Sequence, residues 1–199
     1  MAAPAVSRRI RPALLPAVLL ALLILGIGTG PLKAHAETPD LGNKAPTFTL
    51  STPEGKAVGL ATLEKRGEVV LVVLRGYPGY QCPFCQKQVH DFETHAQDFA
   101  ARGAQVLLVY PGPRGDLDAH AKEFLSHEDT LPPNFHLVID PDYTFTNLYG
   151  LRWDAPHETA YPATFLIHRN GIIHYRKISH EHGDRTTAVQ VLAELAGHN

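Results

Sequence analysis

This sequence of 199 residues is short of cysteine, since Cys82 and Cys85 are its only two. Two cysteines this close together close too small a loop to stabilise a fold through chain entropy. There is no second cysteine pair to complete a zinc site, and Gln86 stands where a haem-attachment motif needs histidine. The pair is therefore best interpreted as a dithiol that cycles between reduced and disulfide forms.

The sequence also lacks internal repeats, low-complexity segments and an excess of positive charge. With 44% hydrophobic and 19% charged residues, its composition is that of a globular protein and excludes disorder, collagen and coiled coil. Of the 18 Lys and Arg, four lie in residues 1–36, which hold none of the 20 Asp and Glu. The rest of the chain is therefore acidic, and nucleic acid is not expected as a partner.

The one long apolar run, from Ala13 to Ile27, lies in this acid-free segment. A basic start, an apolar stretch and the small residues before Glu37 match a secretory signal with an A-x-A-like cleavage site. We therefore expect a signal peptide or membrane anchor over residues 1–36 and one folded domain over 37–199.

Two alternatives to cleavage stay open for this segment. One is an uncleaved anchor that tethers the protein to a membrane through residues 13–30, and the other is a twin-arginine signal that begins at Ser7. All three predict an exported protein, in the periplasm or at the outer face of the inner membrane. Disulfides persist in such a compartment.

Strand-like and helix-like segments alternate beyond residue 45, which is typical of an α/β fold. The predicted strands are Pro46–Leu50, Ala57–Leu60, Glu68–Leu74, Gln105–Tyr110, His136–Ile139, and a hairpin of Thr164–His168 with Ile172–Arg176 across Asn170-Gly171. The predicted helices are Cys82–Arg102, Asp116–Ser126 and Thr186–Leu195, with short helical turns ending at Lys65 and over Tyr143–Leu148. The crossover from Glu68–Leu74 to Gln105–Tyr110 predicts a parallel pair at the centre of the sheet.

The dithiol lies at the predicted start of a helix, directly after a loop rich in Gly and Pro. Unpaired N–H groups and the helix dipole stabilise a thiolate there relative to a thiol. Such settings lower the pKa of a cysteine from roughly 8.5 to about 3.5–7.5, so a nucleophile is available at neutral pH.

Three segments resemble the peroxiredoxin family, the alkyl hydroperoxide reductase and thiol-specific antioxidant group. They are Gly42–Leu50, the strand Val69–Leu74 and the loop Pro78–Cys85. The resemblance implies a thioredoxin-like fold: an α/β protein with a central mixed sheet flanked by helices and an N-terminal strand-turn-strand extension. It also implies that Pro78 and Cys85 match the proline and the peroxidatic cysteine of the family's active-site loop.

The sequence departs from the family pattern at two positions. Cys82 stands where the family has Thr, which turns the loop into the Cys-x-x-Cys of thioredoxins. Pro162 stands where many peroxiredoxins carry an Arg that holds the peroxide. A proline before a strand that faces the dithiol is the thioredoxin pattern, in which the proline is cis and its backbone receives substrate, and we expect the same of Pro162.

If Pro162 has displaced the family's arginine, another positive group must stabilise the thiolate. Arg75, at the end of the strand before the loop, is the nearest candidate by sequence, and Arg152 is a weaker one. Tyr77 and Tyr80 are candidates for shielding the sulfur from water.

The resemblance implies a thiol-dependent peroxidase that needs no cofactor, with a peroxide as substrate and a thioredoxin-like or other thiol carrier as electron donor. In that interpretation Cys85 attacks the peroxide and Cys82 resolves the sulfenic acid as a Cys82–Cys85 disulfide. One alternative is a thioredoxin-like oxidoreductase that acts on protein disulfides, in which Cys82 attacks. Another is a docking protein of the cell envelope without enzymatic activity.

Histidine is plentiful, but its spacing does not predict a metal site. His90 and His95 are five residues apart, whereas two ligands on one helix face need a separation of four. His180 and His182 could share a face of an extended segment, but the sequence supplies no third ligand near them. We therefore expect no metal.

Overall fold

Seven strands form one mixed sheet in the computed structural model, which describes residues 36–125 and 131–197. They are β1 (Thr49–Ser51), β2 (Ala57–Gly59), β3 (Val69–Val73), β4 (Gln105–Gly112), β5 (Phe135–Pro141), β6 (Ala163–Ile167) and β7 (Ile173–Ile178). Their order across the sheet is β2-β1-β5-β4-β3-β6-β7. The three central strands, β3, β4 and β5, are parallel to one another, and each outer strand pairs with its neighbours in the antiparallel direction.

Helices cover both faces of this sheet. They are α1 (Leu60–Glu64), α2 (Pro83–Thr94), α3 (Ala96–Ala101), α4 (Leu117–Phe124), α5 (Thr144–Leu148) and α6 (Ala188–Gly197). Because side chains alternate along a strand, Val70 and Val72 of β3 pack under α2, α3, α4 and α6, while Val69 and Leu71 pack against α1 and α5. The central strand is thus apolar throughout because both of its faces are buried.

This architecture confirms the α/β class, the central mixed sheet and the parallel pair of β3 and β4. The predicted hairpin is also confirmed, since β6 and β7 turn back at Gly171, whose φ is +83°. The first strand lies later than predicted, at Thr49–Ser51, because residues before it contact the hairpin instead. The Ala45 N–H donates to the carbonyl of Gly171 at 2.8 Å.

The predicted single helix over Cys82–Arg102 is wrong, because the structure breaks it into α2 and α3 at His95. The hydroxyl of Thr94 donates to the carbonyl of Asp91 at 2.8 Å, and Nδ1 of His95 lies 2.8 Å from the same oxygen. These side chains compete with the helical backbone bonds around that carbonyl, which favours a break.

None of the described helices is long and apolar enough to span a membrane. The expected signal or anchor falls almost wholly on residues 1–35, which lie outside the described residues, and Ser126 of a predicted helix also lies outside them. Both expectations stay predictions.

Candidate active site

The backbone that follows β3 brings the dithiol to the end of the sheet. Gly76 has φ +66°, and a Cβ built on it would lie 1.9 Å from the carbonyl oxygen of Pro111, so a side chain is excluded there. The next N–H, that of Tyr77, donates to that oxygen at 3.0 Å. A glycine at this position therefore lets the loop after β3 cross closely over the end of β4.

Gln81 fixes the other end of the loop. Its side-chain carbonyl accepts the hydroxyl of the buried Tyr110 at 2.8 Å, and its amide donates to the carbonyl of His120 at 2.9 Å. The loop is thereby held to β4 and α4. Cys82 follows as the N-cap residue of α2, and Cys85 lies in the first turn of that helix.

Both sulfurs are almost shielded from solvent, since Cys82 is 1% exposed and Cys85 is fully buried. The backbone N–H of Arg75 donates to Cys85 Sγ at 3.3 Å. The Cys85 thiol in turn donates a hydrogen bond to the Cys82 sulfur. The two sulfurs are thus hydrogen-bond partners at the start of α2.

The surroundings shift the pKa values of the two thiols in opposite directions. The hydrogen bond from Cys85, helped by the positive charges of Arg185 and Arg75 and opposed by burial, lowers the pKa of Cys82 to about 5. Burial raises the pKa of Cys85 well above its usual range, and the negative charge of its neighbour adds to this. Ionisation is thus favoured at Cys82 over Cys85.

Arg185 is the positive side chain that contacts the dithiol, and the sequence did not point to it. Its guanidinium lies 3.8 Å from Cys82 Sγ and donates to the side-chain oxygen of Gln88 at 3.1 Å and to the carbonyl of His182 at 2.8 Å. Gln88 is itself held by Thr186, to which its amide donates at 3.1 and 3.2 Å. Arg185 precedes α6 and is 103 residues from Cys82, so sequence spacing gave no signal.

The side chain of Arg75 was expected to stabilise the thiolate, but it points to other partners. Its buried guanidinium pairs with Glu158 at 2.7 Å and donates to the Tyr80 hydroxyl at 2.6 Å and to the carbonyl of His157 at 2.5 Å. Its peptide N–H, and not its side chain, contacts a sulfur. Arg75 thus contributes one backbone donor to Cys85 and a more distant charge to Cys82.

The two predicted prolines line different cavities. Pro78 is half-buried and lines a cavity of about 270 Å³ together with Tyr143 and Glu158. Pro162 is buried and lines a small cavity shared with Gln88 and Arg185, so it does lie on the dithiol side of the sheet.

The expectation of a cis peptide bond before Pro162 is wrong, because the described residues contain none. Pro162 precedes β6, and its carbonyl accepts the N–H of Ser179 at 2.8 Å, which extends the pairing with β7. Proline at a strand start needs no N–H partner on its own nitrogen, so the ordinary trans bond is accommodated there.

Of the remaining candidates, Arg152 and Tyr77 contact residues of loops and helices, and Tyr80 lies at the edge of the site. Arg152 donates to the carbonyls of Trp153 and Thr159 and stacks over the ring of Tyr143 at 4.0 Å, so it organises its own loop. Tyr77 stacks on His120, with ring centroids 3.5 Å apart. Tyr80 is 47% exposed and bonded to Arg75, which places it at the rim of the site.

The profile of the AhpC/TSA family matches residues 41–176. The chain belongs to this family. Peroxiredoxin Q from Oryza sativa subsp. japonica is 31% identical over 134 residues, which are 67% of this chain and 57% of that protein. The Coxiella burnetii protein named "Putative peroxiredoxin bcp" is 30% identical over 139 residues, 67% of this chain and 85% of that protein. The chain thus spans a little over half the length of the first of these relatives.

A solved structure from Chlorobium tepidum, described as that of a "putative Thiol:disulfide interchange protein DsbE", superposes with a TM-score of 0.59. It is 26% identical and covers 79% of this chain and 99% of its own. This AhpC/TSA chain therefore has a thioredoxin-like fold, and the predicted resemblance to peroxiredoxins is confirmed. In this chain two cysteines, Cys82 and Cys85, lie together at the start of α2.

Proposed function

We propose that this AhpC/TSA chain is a thiol-dependent peroxidase that reduces hydrogen peroxide or small organic hydroperoxides. The observation that carries the proposal is the Cys82 sulfur, which has a lowered pKa, a guanidinium 3.8 Å away and a thiol hydrogen-bonded to it. A thiolate is the form of cysteine that attacks a peroxide oxygen.

Oxidation of the dithiol by the peroxide takes two steps. The Cys82 thiolate attacks one peroxide oxygen, the O–O bond breaks, and the leaving alkoxide or hydroxide takes a proton from solvent. Cys82 is then a sulfenic acid, and Cys85 displaces its hydroxyl as water to form the Cys82–Cys85 disulfide. An external dithiol carrier returns two electrons and two protons and becomes a disulfide itself.

Arg185 has two uses in this scheme. Its charge stabilises the thiolate before the attack, and its N–H groups can hold the peroxide oxygens in line with the sulfur. It would thus do the work of the arginine that the family carries near the position of Pro162, but from the segment before α6.

Burial of the dithiol favours a small substrate. At 1% exposure, Cys82 can be reached by a peroxide more readily than by a disulfide on the surface of another protein. This limited access supports the proposal of a peroxidase over the alternative of a protein-disulfide reductase.

Specific observations also favour the alternative of a protein-disulfide reductase. The Cys-x-x-Cys loop begins a helix, and the likeness to the DsbE structure extends over most of this chain. In addition, Tyr80 and Phe84 are 47% and 45% exposed beside the cysteines, which would suit contact with a protein partner.

One pair of assays separates these functions. The reduced full-length protein is mixed with hydrogen peroxide while thiol loss is followed in a stopped-flow instrument, and its reduction of insulin is followed by turbidity. The Cys82→Ser/Cys85→Ser double variant is the control for both. We expect fast thiol loss with peroxide and little reduction of insulin. Reduction of insulin alone would assign the chain to the disulfide reductases, and the absence of both activities would indicate a docking role.

A further inference from the structure

Three side chains on neighbouring strands meet at the end of the sheet opposite the dithiol. The register of β3 against β6 pairs Val69 with Ile167, so the next residues outward, Glu68 and His168, lie opposite each other. His174 belongs to β7, which pairs with β6 on its other side. His168 and His174 were not among the histidines that the sequence brought forward, because the carboxylate that faces them, Glu68, is 100 residues from His168 along the chain.

A β-bulge places the third of these side chains. Ile167 pairs with Ile173 and Leu166 with Tyr175, so His174 is an extra residue between two paired positions. A bulge of this kind re-aims a side chain, and such bulges are common beside functional sites. Here it brings the imidazole of His174 over that of His168, with ring centroids 3.9 Å apart and planes 13° from parallel.

One carboxylate oxygen faces both rings. Glu68 Oε1 contacts His168 Nδ1 and lies 3.8 Å from His174 Nε2, and one donor atom from each of the three side chains lies within 4.8 Å of the other two. Two imidazole nitrogens and one carboxylate are a donor set that zinc and related transition metals bind. All three side chains are partly buried, with exposures of 17% for Glu68, 30% for His168 and 6% for His174.

We propose that Glu68, His168 and His174 bind one divalent transition metal ion of the zinc class. Because imidazole nitrogen binds a metal in the plane of its ring, one of the two stacked rings would turn so that both nitrogens face the ion. The ion would then replace the present carboxylate–imidazole contacts with three coordination bonds and so join β3, β6 and β7 at this end. A fourth position would be left for water or an anion, on the side of a cavity of about 400 Å³ that Glu68 and His168 line.

The charges around this cavity narrow the choice of metal. Arg66, Arg102 and Arg169 also line it. Their positive charge opposes every divalent cation equally, but hard ions such as Mg²⁺ and Ca²⁺ need several oxygen ligands, and a single carboxylate offsets little of that repulsion. Zn²⁺ gains from its bonds to imidazole nitrogen and is less dependent on the net charge. The site is therefore expected to select zinc-class ions over magnesium and calcium.

This site is separate from the peroxidase chemistry proposed above. Glu68 and Arg75 are at opposite ends of β3, and seven residues of extended chain span roughly 23 Å. The ion would thus contribute to the stability of the sheet and take no part in the oxidation of the cysteines.

The test uses the full-length protein in its disulfide form, because free thiols would themselves bind zinc. Zn²⁺ affinity is measured by competition with a chromophoric chelator, and the visible absorption of bound Co²⁺ reports its coordination. The melting temperature is recorded with and without Zn²⁺. We expect one tight site, a higher melting temperature with Zn²⁺, and no rise with Mg²⁺ or Ca²⁺.

Glu68→Gln and His168→Asn are the decisive variants, because these two side chains are the more exposed members of the cluster. Each is expected to weaken zinc binding by at least about tenfold and to abolish the rise in melting temperature. His136→Asn is the matched control, since His136 is a half-buried histidine on β5 that contacts Gln105 instead. Absence of zinc binding, or equal binding by the two variants and the control, would overturn the proposal.

Discussion

At the scale of single residues, the question is which sulfur attacks first. The family pattern predicts that Cys85 is the residue that attacks the peroxide. The electrostatics of the site favour Cys82, because the thiol of Cys85 donates to it and Arg185 lies beside it. Since the thiolate is the nucleophile, we expect the order to follow ionisation and not the family alignment.

Single serine variants test this order. Cys85→Ser keeps a hydroxyl that can donate to Cys82, so we expect it to react with one equivalent of peroxide and stop at a sulfenic acid. Cys82→Ser leaves a buried thiol of raised pKa, and its reaction at neutral pH should be slower by about a hundredfold or more. Mass spectrometry after trapping with a sulfenic-acid reagent checks both. The opposite pattern would establish Cys85 as the attacking residue.

The pH dependence of the reaction follows from the same ionisation. Because the pKa of Cys82 is lowered to about 5, the thiolate is already formed at neutral pH and is lost only as the pH falls through that value. The rate of peroxide-dependent thiol loss should therefore be flat across neutral pH and fall in acid with a midpoint near 5. A midpoint between 8 and 9, near the value of an ordinary cysteine, would contradict this account.

Arg185 is expected both to stabilise the Cys82 thiolate and to hold the peroxide. In Arg185→Ala the pKa of Cys82 loses one of the influences that lower it, so the acid midpoint should move upward. The rate at neutral pH should fall by about tenfold, the order expected for the loss of one charge-assisted contact. Arg176→Ala is the control, because that side chain pairs with Asp40 at 3.2 Å. An unchanged midpoint and rate in Arg185→Ala would remove Arg185 from the site.

At the scale of elements, the loop between α5 and β6 supports the dithiol through a buried ion pair. Glu158 accepts Arg75 at 2.7 Å and lies 2.9 Å from His182 Nε2. Burial alone would raise the pKa of Glu158, but the hydrogen bonds from Arg75 and His182 hold it below its usual value. The loop thereby joins Arg75, near the end of β3, to the segment that carries Arg185.

Breaking this pair should destabilise the protein. Glu158→Gln leaves the Arg75 guanidinium buried without its counter-charge, and we expect a loss of about 3 kcal/mol in the free energy of unfolding at neutral pH. Since a lowered carboxyl pKa stabilises only above its unfolded value, wild type and variant should converge as the pH falls into the acid range. Urea denaturation at several pH values measures this. Asp154→Asn is the control, because it breaks the exposed Arg152–Asp154 pair, and little change is expected from it.

The sequence was most informative where one local rule decides the structure. The continuous apolar run of β3 predicted a strand buried on both faces, and Asn170-Gly171 predicted the hairpin. Sequence-based prediction failed where hydrogen bonds compete or where residues far apart along the chain come together. The break at His95 depends on side chains that compete for one carbonyl, and the positions of Arg185 and Glu158 depend on how distant loops pack around the dithiol. The cluster of Glu68, His168 and His174 was missed for the same reason, since Glu68 is 100 residues from His168 along the chain.

At the scale of the whole molecule, the scarcity of cysteine limits what oxidation can produce. No third cysteine exists to act as a resolving partner, and the two that do are already in contact within one helical turn. Both are also nearly buried, so the sulfur of a second molecule cannot approach as readily as the neighbouring one. An intramolecular disulfide is therefore favoured over a covalent dimer by proximity and by access alike.

We accordingly expect peroxide to convert the reduced protein to a disulfide monomer. Intact mass spectrometry should show a loss of two hydrogens, and non-reducing gel electrophoresis should show a single monomeric band. Cys85→Ser provides the matched comparison, because it retains the more reactive sulfur but has no partner for it within the chain. If the wild-type protein instead formed mainly a disulfide-linked dimer, the two sulfurs would have to separate and become exposed during the reaction. The enclosed site seen here would then not be the form that turns over.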